Sequence, residues 1–238
     1  MIEFWNTTIY EPLFNVLVFF IDIFPGHSVG LAIIALTILV RIALLPLTAK
    51  SIRAQRAMKE LEPDLKILKE RHGDDKQKLA AATMELYKKS GVTPFSGCLP
   101  LLIQIPIIMG LYFVFSKGIN SIDVSILYSW VEAPDFVDKH FLVFDLASKS
   151  VVLALFAGVT QFIQTHVAMS KFPTPQPKKE NEKPSFQEDL ARSMQVQMRY
   201  VLPVIVGVIS YTLPSAVALY WATSNILSTA QEYLTKRA

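Results

Sequence analysis

Arg41 is the side chain with the most chemical potential in this chain, because it lies within the apolar stretch LTILVRIALLPLTAKS at 36–51. At the centre of a membrane helix an arginine costs about 2.5–3.5 kcal/mol on insertion scales. Arg41 stands eight residues, or roughly 12 Å, from the end of its apolar span at 49, so one reading is that the guanidinium snorkels to a headgroup layer. The other reading gives it company. Thr37, Arg41 and Thr48 share one helical face, and Gln104 sits midway along a second apolar stretch. Thr160 and Gln164 lie on one face of a third, with Gln161 beside them, and Trp221, Ser224, Asn225 and Ser228 follow one stripe of the last. Single Ser, Thr or Asn residues often glue membrane helices together, but polar faces on several segments point to a hydrated cavity between them. Apart from Glu232, the apolar segments hold no Asp, Glu or Lys, which leaves Arg41 without a counter-ion and excludes a proton relay. The expected site is therefore a hydrophilic, positively charged pocket that water reaches.

Enzymatic chemistry finds little support. No Gly-rich phosphate loop, His/Glu metal spacing or Ser–His–acid set is present, and His166 reads as a solvated interface residue. The single cysteine, Cys98, excludes an internal disulfide framework and a cysteine-based metal cluster. The expectation is no enzyme, no cofactor and no metal, with any transport passive or driven by the membrane potential.

The elements that must position these residues follow from composition and periodicity. The chain has 238 residues, 52% hydrophobic and only 18% charged, which favours a membrane protein. Five segments read as spans, at 28–49, 95–116, 150–170, 200–213 and 215–233, the last two forming a tight hairpin around Pro214 and Ser215. Residues 1–27 read as an amphipathic helix lying at the interface, with Asn15 and Asp22 facing away from its apolar side. Lys and Arg crowd 50–94 and 171–199 and recur in the tail at 234–238, whereas 117–149 has few and the N-terminal segment none. The positive-inside rule then places the N-terminus outside and the C-terminus in the cytoplasm, and turns the pocket towards the cytoplasm.

Within 50–94, Met58, Leu61, Leu65 and Leu68 form a narrow apolar seam that Pro63 kinks, and His72-Gly73 breaks it. Asp74 with Gln77 suggests a capping box for a second helix carrying Leu79, Ala82 and Leu86. The sum is a basic helical hairpin in the cytoplasm. Arg53, Arg56, Lys59, Lys66, Lys69, Arg71, Lys76 and Lys78 are its candidate contacts for a ribosome or targeting partner, or for anionic lipid, with no sequence-specific reading of nucleic acid. The loop at 117–149 carries Trp130, Phe136, Phe141 and Phe144, expected to lie against headgroups, and 171–190 reads as a disordered linker.

Four stretches carry a resemblance: VRIALLPLTAKS (40–51), HGDDKQK (72–78), GVTPFSGCLPLLIQIPIIMGLY (91–112) and PSAVALYWATSNILSTAQE (214–232). In this order they resemble the YidC-type membrane protein insertases over nearly the whole chain. The resemblance implies an all-α polytopic protein of a bacterial inner membrane. Five transmembrane helices would surround a hydrophilic groove, closed to the outside and open to cytoplasm and lipid, with a cytoplasmic helical hairpin after the first. It implies a chaperone-like insertase for nascent membrane proteins, with a ribosome and a Sec-type translocon as candidate partners. Arg41 matches the family's groove arginine, Gln164 or Gln161 its third-span glutamine, and Trp221 its last-span aromatic. The expected groove set is Arg41, Thr37, Gln104, Thr160, Gln161, Gln164, Trp221, Ser224 and Asn225. The large extracytoplasmic domain and the lipoprotein cysteine of some members are absent from the sequence, and the basic tail is reduced to Thr235-Lys236-Arg237-Ala238. Tail-mediated ribosome docking is accordingly not expected, which leaves the hairpin as the contact. The competing expectation is a passive transporter or anion channel filtered by Arg41, for which inverted repeats are lacking.

Overall fold

A computed structural model describes residues 2–72, 75–91, 99–118, 122–169, 193 and 195–237. Asp74, Cys98 and the linker at 171–190 lie outside them.

Nearly all of the described chain is helical. It begins with α1 (Ile2–Trp5), widens into a π turn (Asn6–Tyr10) and continues as α2 (Glu11–Ile23). After a turn at Pro25, α3 (Val29–Glu60) runs without interruption past the expected span end at 49. Then come α4 (Glu62–His72), α5 (Lys76–Lys89) and α6 (Leu99–Phe113), the last followed by a π turn (Val114–Gly118). A two-stranded antiparallel hairpin, β1 (His140–Phe141) and β2 (Phe144–Asp145), precedes α7 (Val151–Met169). Another π turn (Gln197–Val201) leads into α8 (Leu202–Thr212), and α9 (Ser215–Arg237) ends the chain.

Prolines explain two of the π turns. A proline ring meets the carbonyl four residues earlier in a regular helix. For Pro12 that residue is Thr8 and for Pro203 it is Arg199, and each lies in a π turn, where the backbone is wide enough to admit the ring. Pro63 marks the interruption between α3 and α4 at Leu61.

Two expectations about helices need correction. Asn15 does not face away but is fully buried, donating through Nδ2 to the carbonyls of Glu11 and Ile126 at 2.9 Å each. Its Oδ1 accepts the Tyr128 N–H at 2.6 Å. The loop folded back over α2 supplies backbone groups that only a polar side chain can satisfy, and apolar periodicity is blind to that. The cap of α5 is Asp75 rather than Asp74, its Oδ1 accepting Gln77 N–H at 3.1 Å and Lys78 N–H at 3.0 Å. With the helix starting at Lys76, these are the second and third amides, where a cap must reach.

α4 and α5 pack on each other, with Leu79 buried and Leu65, Leu68 and Leu86 half-buried. α7 and α8 cross closely at Gly158 and Gly207, where a Cβ on Gly158 would stand 3.3 Å from the Pro203 carbonyl oxygen. Small residues permit such approach between membrane helices.

The core is gathered at the end of the bundle where α3, α7 and α9 begin. It joins Phe14, Leu17 and Ile21 of α2, Val29, Ala32, Ile33 and Leu36 of α3, Leu111, Val114 and Phe115, Leu146, Ala157, Val206 and Ala216 to Tyr220. The loop closes this end: Val29 N–H bonds to Asp138 O at 3.0 Å, Ser215 N–H to Ser148 O at 2.8 Å and Ala216 N–H to Leu146 O at 3.1 Å. Phe141 lies over Gly30, where a Cβ would collide with its ring. Phe141 and Phe144 are thus turned half inward onto the core, contrary to the headgroup expectation, while Trp130 and Phe136 are exposed. Past Leu36 the packing thins, and Ile38, Leu39, Ile42 and Leu45 of α3 are exposed.

Candidate functional site

Arg41 follows the packed part of α3 by about one helical turn. Its Nε donates to Ser224 Oγ on α9 at 3.1 Å, and Nη2 donates to the same oxygen. A guanidinium has more N–H donors than one serine can accept, and among the described residues no carboxylate pairs with it. One turn before Ser224, Tyr220 is buried within electrostatic reach of Arg41, and its hydroxyl accepts Gln104 Nε2 from α6 at 2.7 Å. α9 therefore joins α3 to α6 through a chain of side chains from Arg41 by way of Ser224 and Tyr220 to Gln104.

The next face of α9 meets α7. Asn225 Nδ2 donates to Thr160 Oγ1 at 3.4 Å, and both residues are buried. On α7 itself, Gln161 Nε2 donates to Gln164 Oε1 at 3.2 Å and to Thr165 Oγ1 at 3.1 Å. Further along, Gln231 Nε2 donates to Thr48 Oγ1 at 2.7 Å, tying α9 again to α3. Thr37 is buried and, among the described residues, bonds only its own helix, to the Ile33 carbonyl. Trp221 is half-buried against the apolar core.

The geometry thus unites Arg41, Ser224 and Gln104 through Tyr220, and unites Asn225 with Thr160. Gln161 and Gln164 pair with each other on their own helix, and Thr37 and Trp221 join neither group. Tyr220 and Thr165 went unnoticed in the sequence. Tyr220 could have been found from its place one turn before Ser224, had tyrosine been counted as polar.

Polar atoms inside and apolar surface outside is the arrangement a bilayer imposes. On α7, Thr160, Gln161 and Thr165 are buried while Val152, Leu155, Phe156, Val159 and Ile163 are exposed. Among the described residues, Val29–Met58 and Val151–Met169 are long and apolar enough to cross a membrane, and Gln104–Ser116 is apolar but shorter. His166 is exposed beside Phe162, with ring centres 6.0 Å apart.

The hairpin cations are outward. Arg53, Lys66, Arg71 and Lys78 are exposed, and Arg56 and Lys69 half-exposed; the side chains of Lys59 and Lys76 are not among those described. Hydrogen bonds from the amide and then the side chain of Lys78, with a smaller one from the Gln77 amide, hold the Asp75 carboxyl below the usual carboxylate range.

The profile of the 60Kd inner membrane protein family matches residues 19–238. The chain belongs to that family. A relative from Oceanobacillus iheyensis, called membrane protein insertase YidC, is 32% identical over 97% of this chain and 82% of its own length. One of the same name from Fusobacterium nucleatum is 35% identical over 94% of this chain and 95% of its own. Within the 60Kd inner membrane protein family lengths differ: against the Methylobacillus flagellatus relative, 35% identical, this chain spans 37% of the longer protein.

Proposed function

We propose that this chain is a membrane protein insertase and chaperone of a bacterial inner membrane. It takes the polar flank of a substrate segment into a groove between α3, α6, α7 and α9, and releases the apolar segment to lipid. The observation that carries this reading is Arg41, held among the described residues by one neutral serine with donors to spare. An unpaired cation at membrane depth needs water, and a hydrated cation attracts acidic flanks without retaining them. In the proposed topology the N-terminus is outside and the C-terminus inside, and α3, α6, α7, α8 and α9 are the five spans. The packed end of the bundle then faces outward and the groove opens to the cytoplasm.

Each step has a physical driver. The groove shortens the hydrocarbon path for the flank. An inside-negative potential favours outward movement of each acidic charge by about 2.3 kcal/mol per 100 mV. Transfer of the apolar segment into lipid releases about 25 cal/mol per Å² buried. The basic hairpin of α4 and α5 is the proposed contact for a ribosome or a Sec-type translocon. A channel reading gains nothing from a bundle whose outer end is filled by Leu36, Phe115 and Tyr220.

The test is insertion into liposomes containing this protein alone, using a single-span substrate with a short acidic N-terminal tail. Protease protection of the tail should rise several-fold over empty liposomes. Arg41→Lys should keep most of that gain and Arg41→Ala should lose it. Equal protection with and without the protein would overturn the insertase reading, and equal insertion by both variants would reduce the arginine to a structural role.

A further inference from the structure

We propose that the β1–β2 hairpin is a lipid anchor whose tip, Leu142-Val143, enters the headgroup–acyl boundary of the outer leaflet. Leu142 and Val143 are 82% and 86% exposed, more than any other large hydrophobic residue among those described. Leu142 also adopts φ 56°, the left-handed region. Two-residue hairpin turns normally place Asn or Gly there, because those residues bear positive φ at little cost. A bulky aliphatic residue at that φ is unusual. In water this tip has the wrong chemistry twice over: strained backbone and bare apolar surface. In an interface the apolar surface is covered, which is a reason for leucine to stand where asparagine would suit the turn.

The hairpin cannot swing away from the membrane edge. Phe141 presses on Gly30, Asp138 bonds the first amide of α3, and Ser215 Oγ donates to the Asp145 carbonyl at 2.8 Å at the start of α9. The tip is therefore held at the level where both helices begin, which is where a span meets the headgroups. Beneath the apolar tip the strand ends carry His140 and Asp145, so the hairpin is amphipathic along its length, as an interfacial segment must be. Trp130, exposed and edge-on to Phe19 at 5.6 Å, adds an aromatic of the kind found in interfacial belts at the same closed end.

This inference rests on α3 crossing the membrane and not on the groove or on insertion activity, so the two can fail separately. In a Cys98→Ser background, Leu142→Cys and Val143→Cys are labelled with the fluorophore NBD, with exposed Glu132→Cys on the same loop as reference. The full chain is placed in nanodiscs of phosphatidylethanolamine and phosphatidylglycerol. Dithionite should bleach the tip probes several-fold more slowly than the reference, and shallow spin-labelled lipids should quench the tip probes alone. Equal bleaching at tip and reference would overturn the proposal. So would slow bleaching without lipid quenching, which would mean protein rather than lipid covers the tip.

Discussion

At the residue scale, α9 works as a hub because its polar side chains point in two directions. Ser224 and Tyr220 serve α3 and α6, and Asn225 serves α7. Hydrogen bonds between membrane helices average about 0.6 kcal/mol and reach about 1.7. Tyr220→Phe removes the acceptor of Gln104 and should lower unfolding stability in mild detergent by about that average, leaving Arg41 in place. A titration with a denaturing detergent reads the difference, and insertion should stay near the parent level. Asn15 carries more than one contact. Asn15→Leu strands the Tyr128 amide and the Ile126 carbonyl under α2, where each buried unsatisfied group costs about 1–3 kcal/mol. That variant should unfold well before Tyr220→Phe in the same titration. A comparable midpoint would mean that water replaces the amide.

At the element scale, two contacts set how helices meet. Gly158→Leu pushes a branched side chain against the Pro203 carbonyl and Gly207, and overpacking of this kind costs about 1–3 kcal/mol. Thermal unfolding should show the loss, and Gly158→Ala, whose Cβ asks the Pro203 carbonyl to give only a few tenths of an ångström, should show a smaller one. Asp145 holds the turn that leads to α7. Its side chain accepts from the Ser148 hydroxyl and then the Ala147 amide, and these bonds put its carboxyl below the ordinary 3.8. A carboxyl depressed in the folded state adds stability above its unfolded pKa and loses it as pH falls through the folded one. The gap in unfolding midpoint between the parent and Asp145→Asn should therefore be constant at neutral pH and shrink as pH falls below 3.8. Much at this scale was legible beforehand. The apolar stretch at 150–170 became α7 at Val151–Met169, and the turn at Pro214 separates α8 from α9. The β hairpin was not legible, since its strands are two residues each and its turn holds leucine instead of a turn former. Nor was the length of α3, because nothing in the sequence at 49–50 stops a helix and polarity alone marked the boundary. At the site, the types of the polar residues were readable but their pairing was not. Which hydroxyl Arg41 reaches depends on how α9 is rotated against α3, and that rotation is fixed by packing elsewhere.

At the scale of the molecule, the packing is graded along the first half of α3. Val29, Ala32, Ile33 and Thr37 are all at 0% exposure, whereas Arg41 and Thr48 are half-exposed, before Ser51 and Ile52 are buried again. Arg41 lies at the transition, where water in the proposed groove would meet the packed end. That grading suits a one-sided vestibule. A vestibule predicts a sharp step in chemical accessibility along α3, since thiolate-specific reagents need water around the sulfur. In a Cys98→Ser background, Thr37→Cys should stay unreactive in intact inverted vesicles, and Thr48→Cys should react with a membrane-impermeant maleimide added to the exposed cytoplasmic face. Reaction at Thr48→Cys only from the opposite face would reverse the proposed topology. Equal reaction at both positions would mean that water penetrates the packed end, and a path open through the bundle would then replace a closed groove.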